Sequence, residues 1–360
     1  MDDAHVLVVS LVTLGYPGTL TGGYLYHQRI AALAPRFAAH VRFVSVPAAP
    51  FPLPVATGPL VFRWLARQHP DVLLLNSIAA GYLGTWLPAR RSRIPVVAVL
   101  HQPPGGIDHG RVRTATQALL DRWAYRTASP LLAASAALAD DLAAAGLPRA
   151  RLRVVPPGRD VAPSPAKAPG DLRLGRRTAL LSVGNWAARK GLLDLLEAVS
   201  RLPDDAATLH VVGDPHAEPG YAARIRARLA APDVAGRVLV HGPLPVAQVA
   251  ALYVAADVLA LASSREPYAT VYGEAMAAGL PVVGYAVGNL PHLARDGEEG
   301  LVVPLGDVAA LTAALRRIVE DEALRARLGE AAARRATTFG ELRIIVEEAT
   351  RPDTRGSGQR

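Results

Sequence analysis

Short, nearly unbroken apolar runs alternate with amphipathic stretches along the whole chain. In the first half the runs are HVLVVSLV (5–12), VRFVSV (41–46), DVLLLNS (71–77), PVVAVLH (95–101), PLLAAS (130–135) and LRVVP (152–156). In the second half they are TALLSVG (178–184), TLHVVGD (208–214), RVLVHG (237–242), DVLALAS (257–263), LPVVGY (280–285) and EGLVVP (299–304). Apolar runs of strand length separated by helical segments belong to parallel sheets covered on both faces. Between the two halves lies PPGRDVAPSPAKAPGDLRLGRR (156–177), rich in Pro, Gly and Ala and without a hydrophobic period, as a linker would be. The pattern predicts an α/β protein: two Rossmann-like doubly wound parallel-sheet domains facing each other across a cleft, with ligand between their strand ends. The expected boundaries are 1–160 for the first domain, 161–177 for the linker and 178–340 for the second domain. Helices are expected near 307–319 and 322–336, then a C-terminal helix at 341–350 and a disordered tail at 351–360.

Length supports two cores, since 360 residues exceed what one ordinary core accommodates. There are no cysteines, which excludes disulfides, thiolate metal sites and cysteine nucleophiles. The start, MDDAHVLVVSLVTLG, carries two aspartates where a secretory segment needs positive charge, so no signal peptide is expected. Two long uncharged runs fail as membrane spans: 43–62 holds five prolines, and 72–89 is interrupted by Asn76, Gly81, Gly84 and Pro88. The formal charge of +8 is unevenly placed. Residues 1–160 hold 16 arginines and eight aspartates with no lysine or glutamate, whereas residues 161–360 balance at 23 basic and 23 acidic. The first half therefore carries the whole excess and suits an acidic partner.

Candidate chemistry concentrates at SSREPYATVYGEAMAAGLPVV (263–283), where Glu266 and Glu274 stand with seven residues between them. A strand ends at Ser263, a turn holds Glu266, and a helix begins near Ala269 with Val271, Ala275 and Ala278 as its apolar face. A helix start suits a phosphate. Glu274, sharing a face with Thr270, lies roughly 7 Å along the axis at ~1.5 Å per residue, about the distance from a phosphate to a ribose hydroxyl pair. Glu266 precedes the helix, on the side where a sugar beyond the phosphate would lie. The bland alternative is a solvated turn glutamate and a surface helical one. Elsewhere, SVGNWAARKG (182–191) brings Arg189 and Lys190 to a loop–helix junction, where a lysine neutralises a diphosphate. Near the start, Gly22 and Gly23 open a helix and allow close backbone approach to a phosphate or sugar, or simply form a tight turn. His101 ends a strand; His27, His109, His210, His216, His241 and His292 read as structural or surface residues, and no pair has metal-ligand spacing.

These motifs resemble the retaining GT-B glycosyltransferases of the family 4 (glycosyl transferases group 1) type. The resemblance runs through VGNWAARKG (183–191), VVGD (211–214), 240–283 with its two spaced glutamates and EAMAAGLPVV, VGNLPHL (287–293) and GEEGLVVPLGDVAALTAAL (297–315). In the first half it is looser, at TGG (21–23), LHQPP (100–104), LLAASAALADDL (131–142) and VVPPGRD (154–160). The resemblance implies a nucleotide-diphosphate-sugar donor held mainly by the second domain. Glu274 would bind the ribose, Glu266 the transferred sugar, and Lys190 with Arg189 the diphosphate. Amides around Tyr268, Ala269, Thr270 and Val271 would face the sugar and diphosphate. Gly22 and Gly23 would approach the donor from the first domain, and His101 would lie near the reacting carbon. Glu266, His101 and Lys190 are thus the implied catalytic set. The leaving diphosphate would help activate the acceptor, domain closure would complete the site, and neither metal nor other cofactor is expected.

Three departures stand out. Asn185 occupies the place where the family usually has a phosphate-binding arginine, Ala269 the place of a common glycine, and Pro157 the place of a common asparagine. On the acceptor side, Arg63, Arg67, Arg90, Arg91 and Arg93, with Trp64, Tyr82, Trp86 and Leu87 as apolar neighbours, suit an anionic lipid headgroup or phosphorylated acceptor, or form an ordinary solvated basic face. HQPPGGIDHGRVR (101–113) is expected to be a mobile acceptor loop. The expected partners are therefore a nucleotide-sugar donor, a sugar, lipid or small-molecule acceptor, and an anionic membrane surface, with the protein cytoplasmic or peripheral at the inner face of the membrane. Nucleic acid is not expected, because the arginines have no stacking platform beside them. A nucleotide-sugar 2-epimerase on the same fold, or a catalytically silent subunit supporting a partner transferase, remain alternatives.

Overall fold

The computed structural model describes residues 6–16, 18, 22–47, 51, 53–56, 58–84, 86, 94–107, 109–155, 170–267 and 269–339. The chain divides into two compact units, one within residues 1–157 and one within 158–339. All twelve expected strands are present. In the first unit the order is β1 Leu7–Leu14, α1 Gly22–Leu33, β2 Ala39–Val46, α2 Leu53–Ala56, α3 Gly58–Arg67, β3 Val72–Asn76, α4 Ser77–Leu83, β4 Val96–Leu100, α5 Arg111–Thr127, β5 Leu131–Ala133, α6 Ala136–Ala144 and β6 Leu152–Val154. The second unit continues with β7 Thr178–Val183, α7 Leu192–Ser200, β8 Ala207–Val212, α8 Pro219–Leu229, β9 Val238–Gly242, α9 Val246–Ala255 and β10 Val258–Leu261. It ends with α10 Thr270–Ala277, β11 Val282–Tyr285, α11 Leu290–Leu293, β12 Gly300–Val303, α12 Val308–Glu320 and α13 Glu322–Ala336. The expected helix at 341–350, the tail at 351–360 and linker residues 161–169 lie outside the described residues.

Each unit has one six-stranded, wholly parallel sheet. In the second unit, successive strand residues serve opposite faces. Leu180, Val258 and Ala260 pack with α7 and α12 through Leu195, Leu196, Leu311 and Leu315. Ala179, Leu181, Leu259 and Leu261 pack on the other face with Tyr253 of α9, Tyr272 and Met276 of α10, and Ala332 of α13. Two covered faces explain why these strands read as unbroken apolar runs.

The two sheets differ in order. The second unit runs β12-β11-β10-β7-β8-β9, the Rossmann order, with its switch point between β7 and β10. The first runs β2-β1-β3-β4-β5-β6, a flavodoxin-like order with the switch between β1 and β3. Apolar patterning carries no information about lateral order, so this difference was not legible in it. Ligands bind such sheets beyond the strand C-termini at the switch point, which singles out 184–191 and 262–270 in one unit, and 15–23 with 76–77 in the other.

Residues 170–177, at the end of the expected linker, pack onto the second unit. Leu172 is buried there. Thr208 Oγ1 donates to the Arg173 carbonyl at 2.7 Å, and Arg173 makes two bonds to Asp257 at 2.7 and 2.9 Å. In the first unit, Gly81 and Gly84 let α4 approach α5. A Cβ on Gly81 would lie 2.5 Å from Asp121 Oδ1, and one on Gly84 2.7 Å from Ala124 Cβ. Among the described residues, no helix is long and apolar enough to cross a membrane.

Candidate active site

At the second unit's switch point, β7 ends at Val183 and a short 3-10 turn, Ala188–Lys190, leads into α7. Gly191 makes that junction possible: its φ is +63°, and a Cβ there would sit 1.8 Å from the carbonyl oxygen of Ala262, just beyond β10. The two crossover loops are thereby locked together, and the Ser264 N–H donates to the Arg189 carbonyl at 2.8 Å. Asn185 does not take over the missing arginine's charge. Its Oδ1 accepts the Asp214 N–H at 3.0 Å, which joins the ends of β7 and β8.

From this frame Lys190 reaches Glu266. Its Nζ lies 2.6 Å from Oε2, with the two side chains only 13% and 8% exposed. Burial pushes the Glu266 carboxyl up, but the ion pair with Lys190 and the charge of Arg189 outweigh it and hold the group below the usual glutamate range. The carboxylate is therefore ionised at neutral pH. Its backbone is held as well: the Asn289 N–H donates to the Glu266 carbonyl at 3.0 Å, and Gly288, at φ +53°, avoids a Cβ only 2.1 Å from that oxygen. The VGN of 287–289 is thus a brace for Glu266.

Helix α10 follows at once. Ala269 is its N-cap and has left-handed geometry, φ 58° and ψ 30°. Here is the physical reason a glycine is common at this position. The N–H groups of Thr270 and Val271 open the helix and have no acceptor inside it. The helix buries Tyr272, Ala275 and Met276, with Val271 and Ala278 half-buried beside them. The expected apolar face is therefore rotated toward Tyr272, whose hydroxyl donates to the Leu261 carbonyl at 3.2 Å. Glu274, half-buried on the neighbouring face, accepts from the Tyr253 hydroxyl at 3.2 Å. Lys190, Arg189, Glu266, Ala269, Thr270, Val271 and Glu274 thus share one loop–helix region. Tyr268 lies outside the described residues.

The first unit has a second polar cluster at its own switch point. Gly22 starts α1, and a Cβ on Gly23 would lie 3.8 Å from His101 Cδ2, so the glycine sits against that ring. His101 Nε2 is 2.9 Å from His27 Nε2, and His27 Nδ1 is 3.4 Å from Asn76 Nδ2. His27 is fully buried, and its partnership with His101 was not legible because 74 residues separate them. The only local signal for Asn76 and Ser77 was their place at the end of an apolar run.

Two acceptor-side expectations change. Tyr82 is in the core, 2% exposed, and offers no surface. The stretch expected to be a mobile loop is tied down at its centre, where Gly105 N–H donates to Asp121 Oδ2 at 2.7 Å and Pro104, Gly105 and Gly106 are buried. Leu60, Arg63, Trp64 and Arg67 of α3 are exposed. Leu87, Arg90, Arg91 and Arg93 lie outside the described residues.

Two doubly wound parallel α/β units, with a lysine and two carboxylates at one switch point, define the GT-B class of glycosyltransferase. Solved structures agree on the fold: sucrose-phosphate synthase from Thermosynechococcus elongatus superposes with a TM-score of 0.80 at 20% identity, covering 95% of this chain and 97% of that one. Anabaena HepE, solved in complex with UDP and glucose, does so at 0.77 and 20% identity, covering 95% and 98%. The family models for glycosyl transferases group 1 and glycosyltransferase family 4 match residues 169–335 and 6–162. D-inositol 3-phosphate glycosyltransferase of Xylanimonas cellulosilytica is 31% identical over 293 residues, 75% of this chain and 68% of the relative. The chain spans about two thirds of the length of the curated relatives it matches. The chain belongs to the family 4, group 1 glycosyltransferases.

Proposed function

We propose that the protein transfers a sugar, with retention at the anomeric carbon, from a nucleotide diphosphate to an acceptor hydroxyl without using a metal. The observation that carries this reading is the buried Lys190–Glu266 ion pair at the second unit's switch point, beside the start of α10 and one turn before Glu274. A lysine has three donors. One engages Glu266, and two remain for a diphosphate arriving at the first turn of α10. Glu266 holds that ammonium in place and keeps an ionised carboxylate for the hydroxyls of the transferred sugar. Glu274, steadied by Tyr253, takes the ribose. In the transfer the anomeric C–O bond to the diphosphate breaks, the acceptor oxygen bonds the same face of that carbon, and its proton passes to a leaving phosphate oxygen. Lys190, Arg189 and the helix terminus spread the charge that develops on the leaving group.

HepE is solved with UDP and glucose, so UDP-glucose is the first donor to test. The relatives are named for inositol 3-phosphate, and the arginine-rich first half, with Arg63 and Arg67 exposed, fits a phosphorylated acceptor or an anionic membrane surface. The test is calorimetric binding of UDP, GDP, ADP and dTDP to wild type and Lys190→Ala. Loss of the Lys190 contact should weaken the diphosphate by ~1.5–3 kcal/mol while leaving nucleoside binding nearly unchanged. Removing Lys190 also strands a buried carboxylate, so Lys190→Ala is compared in a Glu266→Gln background. Equal losses for diphosphate and nucleoside would remove Lys190 from the site. Absence of binding by all four would overturn the transferase reading.

A further inference from the structure

The polar chain inside the first unit has a direction. Asn76 is the last residue of β3 and the N-cap of α4, and its Oδ1 accepts the Ile78 N–H at 3.1 Å and the Ser77 hydroxyl at 3.4 Å. The cap fixes which end of the amide is the acceptor. Its NH2 group therefore points the other way, toward Thr13 Oγ1 at 3.2 Å and His27 Nδ1 at 3.4 Å. An NH2 group only donates, so His27 must offer a lone pair at Nδ1. Burial holds His27 down at about 3, and it is neutral with one proton. That proton is on Nε2 and is donated across 2.9 Å to His101 Nε2. Burial first, and His27 second, keep His101 neutral as well. With its Nε2 accepting, His101 carries its proton on Nδ1.

Other contacts hold the same arrangement. Ser77 Oγ accepts the His101 backbone N–H at 3.2 Å. Tyr26 packs edge-on against both imidazoles, with centroids 5.9 Å from His27 and 4.9 Å from His101. Thr13, His27, Asn76, Ser77 and His101 are all buried. A buried polar chain specifies a single arrangement when its members are mutually satisfied.

We propose that Asn76 and His27 are positioning residues that fix His101 as an Nδ1–H hydrogen-bond donor to an oxygen of the bound sugar, and so prevent it from acting as a base. This rests on the sugar transfer proposed above, with His101 near the reacting carbon as the family resemblance implies. The function of Asn76 is then to set a tautomer two side chains away.

Long-range proton–nitrogen correlation spectra of the 15N-histidine-labelled protein read the tautomer directly. In wild type, His101 should be protonated on Nδ1 and bare on Nε2. In Asn76→Asp the carboxylate keeps the helix cap but only accepts, so both imidazoles should invert and His101 should carry its proton on Nε2. Release of UDP from UDP-glucose with inositol 3-phosphate should then fall roughly 10²-fold in kcat, as for loss of one placed donor, with UDP affinity unchanged. His27→Gln in otherwise wild-type protein, whose amide oxygen accepts from Asn76 and whose NH2 then donates toward His101, should keep the wild-type tautomer and most of kcat. His27→Leu should keep neither. A wild-type His101 protonated on Nε2, or an inverted tautomer with kcat intact, would overturn the proposal. If wild type shows no turnover with any donor, the transferase reading fails, and the spectra of wild type and the two His27 variants still decide the tautomer.

Discussion

At the scale of single residues, the sequence identified the ionisable groups of the second unit but not what they do to each other. Glu266 and Lys190 are 76 positions apart, and only the fold shows that they form a buried pair. Asn185 read as a lost cation, and the structure gives it another task, joining β7 to β8 through Asp214. Ala269 was the departure with the clearest physical content. A left-handed φ of 58° costs an alanine roughly 1–2 kcal/mol that a glycine does not incur, partly offset by glycine's greater freedom when unfolded. Ala269→Gly should therefore raise stability by up to about 1 kcal/mol, seen as a higher urea midpoint at unchanged slope. A lower midpoint would mean that the alanine methyl, buried among the α10 side chains, contributes more through packing than its conformation costs.

At the scale of elements, strand positions were legible because strands buried on both faces must be apolar throughout. Helix contacts were less so. The run 72–89 looked broken at Gly81 and Gly84, yet those glycines are where α4 meets α5. That close approach buries Asp121, which accepts the Gly105 N–H and so ties the 101–107 segment to α5. Burial pushes Asp121 up to about 7, against the opposing effect of the hydrogen bond it accepts from the Gly105 N–H. The native state thus holds a proton that the unfolded chain gives up near the ordinary aspartate value. Stability should be full below about pH 4 as far as this group is concerned, and should be lost progressively as pH rises to about 7. Asp121→Asn keeps an acceptor for Gly105 and removes the titration. It should flatten this part of the stability–pH curve by an amount on the order of 4 kcal/mol at most. Parallel curves for wild type and variant, from urea unfolding at a series of pH values, would show that Asp121 keeps its ordinary titration.

At the scale of the whole molecule, the double α/β pattern predicted two units, and strand order then did what periodicity could not: it located the switch points. The Rossmann-ordered sheet has its switch point at the Lys190 and Glu266 loops, while the flavodoxin-ordered sheet has its own at Gly23, Asn76 and Ser77, with His101 at the end of the adjacent β4. Recognition of the nucleotide diphosphate should therefore belong to the second unit. A ligand slows amide exchange where it suppresses local opening. Saturating UDP should slow exchange in 184–191 and 264–274 and leave β1, β3 and β4 of the first unit at their free rates. UDP lacks the sugar that His101 is assigned to meet, so the first unit has no reason to respond to it. UDP-glucose carries that sugar and should slow exchange around residues 100–107 as well. Equal responses to UDP and UDP-glucose in both units would show that the division of labour drawn from the two strand orders is wrong.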